Sequence, residues 1–309
     1  MLVRIAESLF WLGRYLERAD DTARILEVHL NDELEHPGTR SSAHFLATLG
    51  LEGEEYDGSV FGMLAWSPEH ANSISYAINA ARRNAGSLRE LLPSEIYESI
   101  SAAERLLVRI AHRGSSFADY FRFVRLARER IATVVGLLEE SYPRDQGWWY
   151  LRLGTFLERV DMTVRLLSFR LAVATETTDW ITTLKYSSAY EFYLRTYRGV
   201  IQPAEVLEFL LVDRLFPRSV HFGLLEVERC LEAIGGQSVR GAPRDPARRI
   251  IGRARAELAY LQAAELDEEA SGLLSSLAVA LAEASDAIAA HRFTTTVTLG
   301  WHTSGTRRT

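Results

Sequence analysis

The segment Leu12-Gly13-Arg14-Tyr15-Leu16-Glu17-Arg18-Ala19-Asp20-Asp21-Thr22-Ala23-Arg24-Ile25-Leu26 returns 141 positions later as Leu153-Gly154-Thr155-Phe156-Leu157-Glu158-Arg159-Val160-Asp161-Met162-Thr163-Val164-Arg165-Leu166-Leu167. Two copies of one segment predict two related halves. The copies share more than leucines: Gly, the adjacent Glu-Arg pair, Asp, Thr and Arg all recur, and core packing alone does not preserve polar identities. With a shift of 146, Ser73-Ile74 and Tyr76 fall on Ser219-Val220 and Phe222, and Arg83 falls on Arg229. The rise in offset from 141 to 146 reads as a loop insertion.

Ile5, Leu9, Leu12, Leu16, Ala19, Ala23, Leu26 and Leu30 alternate four- and three-residue spacings, which makes one apolar stripe along a helix of ~30 residues. Pro37-Gly38 closes it. Short elements around His44-Phe45-Leu49 and Val60–Trp66 follow, then periodic stretches over 72–92, Ile96–His112 with Ser94 as a candidate N-cap, and Phe117–Glu140. The second half replays this order. Asp145 is a candidate N-cap for a long helix through Leu167. After it come helices over Trp180–Tyr197, after Pro203, after Pro217, over Pro246–Leu266 and over Glu268–Phe293. Strand signals are nearly absent. The expected fold is all-α, a pseudo-twofold helical bundle with halves 1–143 and 144–293 packed as one body. Apart, the halves would expose the aromatic stripes around Trp11 and Trp148-Trp149. The Thr/Gly-rich tail 294–309 is expected to be extended or disordered.

The bulk composition narrows the function classes. A net charge of −6 and a pI near 5.8 argue against a main role on nucleic-acid phosphate or an anionic membrane surface. Arg244, Arg248, Arg249, Arg253 and Arg255 form a local basic run, interleaved with Asp245 and Glu257 as a solvated face would be. Cys230 is the single cysteine, so a disulfide framework and a thiolate cluster are excluded and a reducing cytoplasm fits. The start at Met1-Leu2-Val3-Arg4 lacks a signal-peptide pattern, and no apolar run approaches the ~20 residues of a membrane span.

Gly13, Glu17, Asp20 and Arg24 are spaced four, three and four, so they lie along one line of a helix, as do Gly154, Glu158, Asp161 and Arg165. Arg18 with Thr22, and Arg159 with Thr163, form neighbouring lines. A glycine costs ~1 kcal/mol of helix propensity relative to alanine, so its double occurrence signals a close approach by another backbone or a ligand. Two readings stand. The stripes could be buried ion pairs that hold the halves in register, where deleting one partner strands a charge at a cost of ~3–5 kcal/mol. Or they converge on a polar cleft, with Arg18, Arg24, Arg159 and Arg165 clamping a carboxylate or phosphate and Glu17 and Glu158 as acid and base. Candidate binding residues are therefore Gly13, Glu17, Arg18, Asp20, Arg24, Glu158, Arg159, Asp161 and Arg165.

Other candidates are weaker. Glu33-x-x-His36 has the spacing of carboxylate-bridged di-iron bundles, but its repeat equivalent, 174–177, has no histidine and Pro37 ends the helix. His29, His44, His70, His112, His221, His291 and His302 show no metal-like pairing. Cys230 falls at an apolar helical phase, and Trp148-Trp149-Tyr150 reads as core. A Gly-rich phosphate loop, a Gly-x-Ser-x-Gly turn and a two-strand nucleotide unit are missing, so neither cofactor nor metal is expected.

The stretch Gly13–Arg24, its copy Phe156–Arg165, the opening Ala6-Glu7-Ser8-Leu9-Phe10-Trp11-Leu12-Gly13, the run Asp145–Gly154 and Pro217-Arg218-Ser219-Val220 together resemble the alpha-E family, named for its Glu-Arg motif. The resemblance covers almost the whole chain. It implies a bacterial helical domain found beside, or fused to, circularly permuted ATP-grasp carboxylate-amine ligases and transglutaminase-like cysteine peptidases, in the making or modification of a small peptide. No catalytic residues come with the family, so Glu17, Arg18, Glu158 and Arg159 carry over as its signature only. Thr155 stands where the first copy has Arg14 and Met162 where it has Asp21, so a site across the stripes is asymmetric. The expected function is a cytoplasmic accessory protein that binds the ligase or its peptide. An enzyme acting on a peptide amide through Glu17 or Glu158, and a scaffold that forms homo-oligomers, are the alternatives.

Overall fold

Helix α1 (Val3–Glu35) is the axis around which the chain is built. Its stripe residues Leu9, Leu12, Leu16, Ala19, Ala23, Leu26 and Leu30 are all buried, and so are Glu17, Asp21, Thr22 and Arg24 between them. In the computed structural model, residues 1–37, 42–51, 53, 59–111, 116–173, 177–236, 243–261 and 266–294 are described. Among these there is no strand. The remaining helices are α2 (Ser42–Thr48), α3 (Val60–Trp66), α4 (Ile74–Ser87), α5 (Ser94–Ala111), α6 (Phe117–Ser141), α7 (Gln146–Val173), α8 (Thr177–Tyr186), α9 (Tyr190–Tyr197), α10 (Pro203–Leu211), α11 (Val220–Gly235), α12 (Pro246–Tyr260) and α13 (Leu266–Ile288). A π-helical turn, Ala289–Phe293, ends the series.

The two long repeat helices, α1 and α7, pack on each other more extensively than any other pair. α4 lies on α1 as α11 lies on α7, and α5 and α6 pair as α12 and α13 do. Serine caps recur at matching places: Ser73 Oγ accepts from Tyr76 N at 2.9 Å, and Ser219 Oγ accepts from Phe222 N at 3.1 Å. The larger of two apolar clusters joins Leu9, Leu12 and Leu16 of α1 to Leu153, Phe156 and Leu157 of α7 and to α11–α13. The smaller gathers Ile25, Leu26 and Leu30 with α2, α3, Phe123, Leu166 and Tyr186. Both clusters draw on both sides of residue 143. Trp148 and Tyr150 are buried core residues, as their phase predicts.

Several sequence expectations are corrected. Ser94 is the first residue of α5, not its cap; Pro93 precedes it, and the Pro93 carbonyl accepts from Tyr97 N at 3.4 Å. Asp145 does cap α7, with Oδ1 accepting from Gly147 N at 2.8 Å and Trp148 N at 3.2 Å. The helix expected over Trp180–Tyr197 is broken at Ser188, which takes φ +50° between α8 and α9. Ala189 N donates to Leu184 O at 2.8 Å and Ser188 N to Lys185 O at 3.0 Å, the hydrogen bonds of a left-handed helix stop. α12 ends at Tyr260, short of Leu266.

By length and composition, Glu269–Phe293 is apolar enough to cross a membrane, which the sequence reading had not recognised. Its Leu273, Leu274, Leu277, Leu281 and Ile288 are buried in the larger cluster while Ser271, Ser275, Glu283 and Asp286 are exposed, the division expected of a core helix. The basic run on α12 is not purely solvated, since Arg248 reaches Glu232 at 3.0 Å and Arg255 reaches Glu228 at 2.6 Å on α11. His112, His302, residues 174–176 and the tail from 295 lie outside the described residues.

Candidate functional site

The crossing of α1 and α7 is set by its glycines. A Cβ on Gly13 would fall well inside contact distance of the Leu151 carbonyl oxygen, and one on Gly154 inside that of Phe10. Positions 10 and 151 differ by the repeat offset, so the contact is reciprocal. The close approach inferred from the paired glycines is one of backbone on backbone, with no space left there for a ligand.

One turn further on, the Glu-Arg pairs exchange partners across this crossing. Arg18 Nε donates to Glu158 Oε1 at 2.5 Å and its Nη2 to Oε2 at 3.1 Å. Arg159 Nε donates to Glu17 Oε1 at 2.7 Å and its Nη2 to Oε2 at 2.8 Å. Each is a two-pronged guanidinium–carboxylate bond, the geometry that best exploits arginine. Glu17 and Glu158 are 5% and 4% exposed. The stripes therefore do meet, as ion pairs that hold α1 against α7. Arg18 and Arg159, expected as arms of an open clamp, are spent inside the protein.

Beyond this layer the two copies part. In the first, Arg24 Nη1 bonds Asp20 Oδ2 at 3.0 Å, its Nη2 bonds Asp21 Oδ1, and its Nε donates to the Tyr186 carbonyl at 2.6 Å. Arg218, from the turn before α11, closes the cluster. Its Nη1 reaches Glu17 Oε1 at 3.0 Å and Asp21 Oδ1 at 2.8 Å, and its Nη2 reaches Asp20 Oδ2 at 2.9 Å. In the second copy Arg165 pairs, among the described residues, only with Asp161 of its own helix, at 2.8 Å, and its side chain is 48% exposed against 4% for Arg24. Two substitutions account for this. Met162 replaces Asp21, and Asn72 stands at the place of Arg218 under the offset of 146. The backbone around them is alike, for Thr22 Oγ1 donates to Asn72 O at 3.4 Å and Thr163 Oγ1 to Arg218 O at 3.3 Å.

Charge is strongly redistributed here. Burial pushes Glu17 toward neutrality, but Arg159 and Arg218 outweigh it and hold the carboxyl down at about 2. Asp21 goes the other way: burial raises it, neighbouring Glu17 adds to the rise, and Arg24 and Arg218 only partly offset them, leaving it at about 6. Burial and the nearby Arg218 lower Arg24, whereas three carboxylates hold the proton on Arg218 against its burial. Asp21 Oδ2 is buried without a hydrogen-bond partner.

Glu17, Asp20 and Asp21 bring carboxylate oxygens within 4.8 Å of one another, close enough to hold a cation. Arg24, Arg159 and Arg218 already bond oxygens of all three carboxylates, so guanidinium groups supply the positive charge there. Outside the cluster, Glu33 and His36 sit at the end of α1, where the exposed His36 lies 3.8 Å from Asp32. Cys230 is fully buried in α11 and burial pushes its thiol up to about 12, a packing residue rather than a nucleophile.

Arg218 also reaches the surface. It forms the floor of a groove of about 480 Å³ whose walls are Phe192, Phe209, Leu215 and Phe216, with Arg195 and Asp213 at the rim. Leu215 is 86% exposed and Phe192 half exposed. Sequence reasoning missed Arg218 and Asp21 as site residues. The signals were the landmark Pro217-Arg218-Ser219-Val220, whose charged member is matched by Asn72 in the first half, and the Met162 that stands in the second copy where the first has Asp21.

The family model Alpha-E, described as a predicted alpha-helical domain with a conserved ER motif, matches residues 1–293. The chain belongs to the Alpha-E family. In this Alpha-E chain the repeated Glu-Arg dipeptides, Glu17-Arg18 and Glu158-Arg159, are bonded to each other. The chain is also 26% identical, over 90% of its length, to uncharacterized proteins of Mycobacterium bovis and of two strains of Mycobacterium tuberculosis. It spans 35% of the length of those relatives, which carry the matching region within much longer chains. No solved structure matches the Alpha-E chain.

Proposed function

We propose that this Alpha-E protein is a binding partner of an ATP-grasp carboxylate-amine ligase in the cytoplasm, and that it serves in the making or modification of a peptide. The observation that carries this reading is the fate of the signature: both glutamates and both motif arginines are saturated by one another in the interior. Such a motif fixes a helix crossing with high geometric specificity and supplies no exposed acid, base or clamp. The duplicated halves are then related by a pseudo-twofold axis through that crossing, and one side departs from it.

The departure creates the binding face. Arg218, unique to the second half, rigidifies the turn beneath the apolar groove of Phe192, Leu215 and Phe216. An exposed cluster of large apolar side chains on a rigid floor suits a protein partner. Relatives that carry this domain in chains about three times as long give it neighbours to dock against. The occupant proposed is the ligase.

The test is the association constant with a circularly permuted ATP-grasp ligase from the same organism, measured by calorimetry, together with its ligation rate. Leu215→Glu and Phe192→Glu, both at exposed positions, should weaken association by about tenfold or more without altering the melting temperature. A ligase that fails to bind the native protein, or binds both variants as well, overturns the reading.

One observation favours catalysis as a second reading. Asp21 holds its proton to about 6 beside a Glu17 held at about 2, the separation of values expected of an acid–base pair. If the protein turns over a peptide amide, Asp21→Asn abolishes turnover with the fold retained. Unchanged turnover removes this reading.

A further inference from the structure

A second cavity, of about 360 Å³, is lined by α1, α6, α8 and α9. Arg24, buried and anchored to Asp20 and Asp21, forms its inner wall. The left-handed turn at Ser188 folds α9 back over α8 and so brings Lys185 and Glu191 to one opening. Ser188 lines both this cavity and the groove.

The charges on the walls balance: Arg24, Arg128 and Lys185 against Asp32, Glu35 and Glu191. They are not neutralised by one another. Arg24 and Arg128 are engaged from behind, by Asp20 and Asp21 and by Glu27 respectively. Among the described residues Lys185 has no carboxylate in ion-pair range; it lies 5.9 Å over the Tyr190 ring. Glu35 and Glu191 likewise have no cation in range. The Nε–H of Arg128 is buried and makes no hydrogen bond, its nearest carboxylate oxygen being that of Asp20 at 4.0 Å.

This arrangement discriminates by sign. A simple anion drawn to Lys185 meets Glu35 and Glu191, and a simple cation drawn to those carboxylates meets Lys185, so each is opposed by like charge. A ligand with both signs satisfies the exposed unpaired groups at once, its carboxylate toward Lys185 and its ammonium toward Glu191 and Glu35. The volume falls at the lower end of the ~300–1,000 Å³ range of small-molecule sites. Val28 and the Tyr190 ring provide the apolar surface for a side chain or methylene.

We infer that this cavity binds a small zwitterion, a free α-amino acid or a peptide of two or three residues with both termini unblocked. The inference goes beyond the ligase-binding reading, because the groove and the cavity are separate surfaces that share only Ser188. The experiment is titration calorimetry on the full chain with the twenty free amino acids, Ala-Ala, Ala-Ala-Ala, and Ala-Ala blocked as the N-acetyl or the C-amide form. At least one unblocked probe should saturate the protein, and blocking either end of the bound probe should weaken it by about tenfold. Lys185→Met and Glu191→Gln, both on the exposed rim, should each weaken it similarly with an unchanged melting temperature. No saturable probe below about 10 mM, or equal binding of blocked probes or by both variants, overturns the inference. The Leu215→Glu protein separates the two readings, since it should lose the ligase and keep the zwitterion.

Discussion

Arg218 Nη1 lies 2.8 Å from Asp21 Oδ1, joining residues 197 positions apart in a part of the core where the two copies of the repeat differ. With Arg24 on the same oxygen, the pair turns the first stripe into a closed cluster while the second remains a surface ion pair. Burial and the neighbouring Glu17 charge raise Asp21, whereas at Glu17 the two arginines Arg159 and Arg218 outweigh burial, and this separates the two values.

That separation gives stability a defined dependence on pH. Asp21 is raised from 3.8 to about 6, so between those values the folded protein binds the extra proton and gains stability as pH falls. Glu17 is depressed from 4.5 to about 2, so its contribution is complete above 4.5 and is lost as pH falls toward 2. Chemical denaturation across pH should show a maximum near pH ~4–5 from this cluster. Asp21→Asn should remove the slope on the neutral side and leave the acid side. A native protein that loses stability steadily from pH ~6 downward contradicts it.

Arg18 and Glu158 should prove directly coupled. Glu158→Ala leaves Arg18 without its carboxylate and Arg18→Ala leaves the buried Glu158 with only Arg14 at 3.6 Å, and each should cost about 2–4 kcal/mol, the lower end reflecting the partial exposure of Arg18 and the second arginine on Glu158. The double variant should fall short of the sum by about 1 kcal/mol or more in urea unfolding. Additive losses would show that the bidentate bond contributes nothing specific.

Gly13→Ala and Gly154→Ala should destabilise although alanine is the better helix former by ~1 kcal/mol. The new methyl meets the carbonyl of Leu151 or Phe10, and backbone cannot rotate away as a side chain can. A net loss of about 2–3 kcal/mol each is expected from the midpoint of denaturation. A gain at either position would mean that the helices sit farther apart.

Gly223 and Val160 should complement each other. A Cβ at Gly223 would collide with the Val160 side chain, and the corresponding positions of the first half, under the two offsets, are Ala19 and Ala77. Gly223→Ala alone should lower stability by about 1–2 kcal/mol. Combined with Val160→Ala it should recover most of that, because the pair then copies the small-small combination of the first half. A double variant worse than the sum of the singles would exclude this packing.

Much of the fold was legible in the chain. The long stripes of α1 and α7, the cap at Asp145, and the core placement of Trp148 and Cys230 follow from local periodicity and capping chemistry. The break at Ser188 was not legible, because a left-handed serine replaces the usual glycine and the apolar period runs on through Leu184 and Tyr193. Of the candidate site residues, Gly13, Glu17, Arg18, Glu158 and Arg159 converge at the crossing, Asp20 and Arg24 join the cluster, and Asp161 and Arg165 stay with each other on their own helix.

Sequence alone determined that the chain is helical, that it holds two copies of one charged helix, and that a glycine in each marks a close approach. These depend on spacing within one helix, where geometry is fixed by 3.6 residues per turn. Only the tertiary structure decided which carboxylate each arginine takes, that Arg218 joins the first stripe and not the second, and that the signature pairs are consumed in the interior. Those choices bridge 140 to 201 positions. They turn on the depth of the crossing and on single exchanges such as Asp21 for Met162, which no local period records.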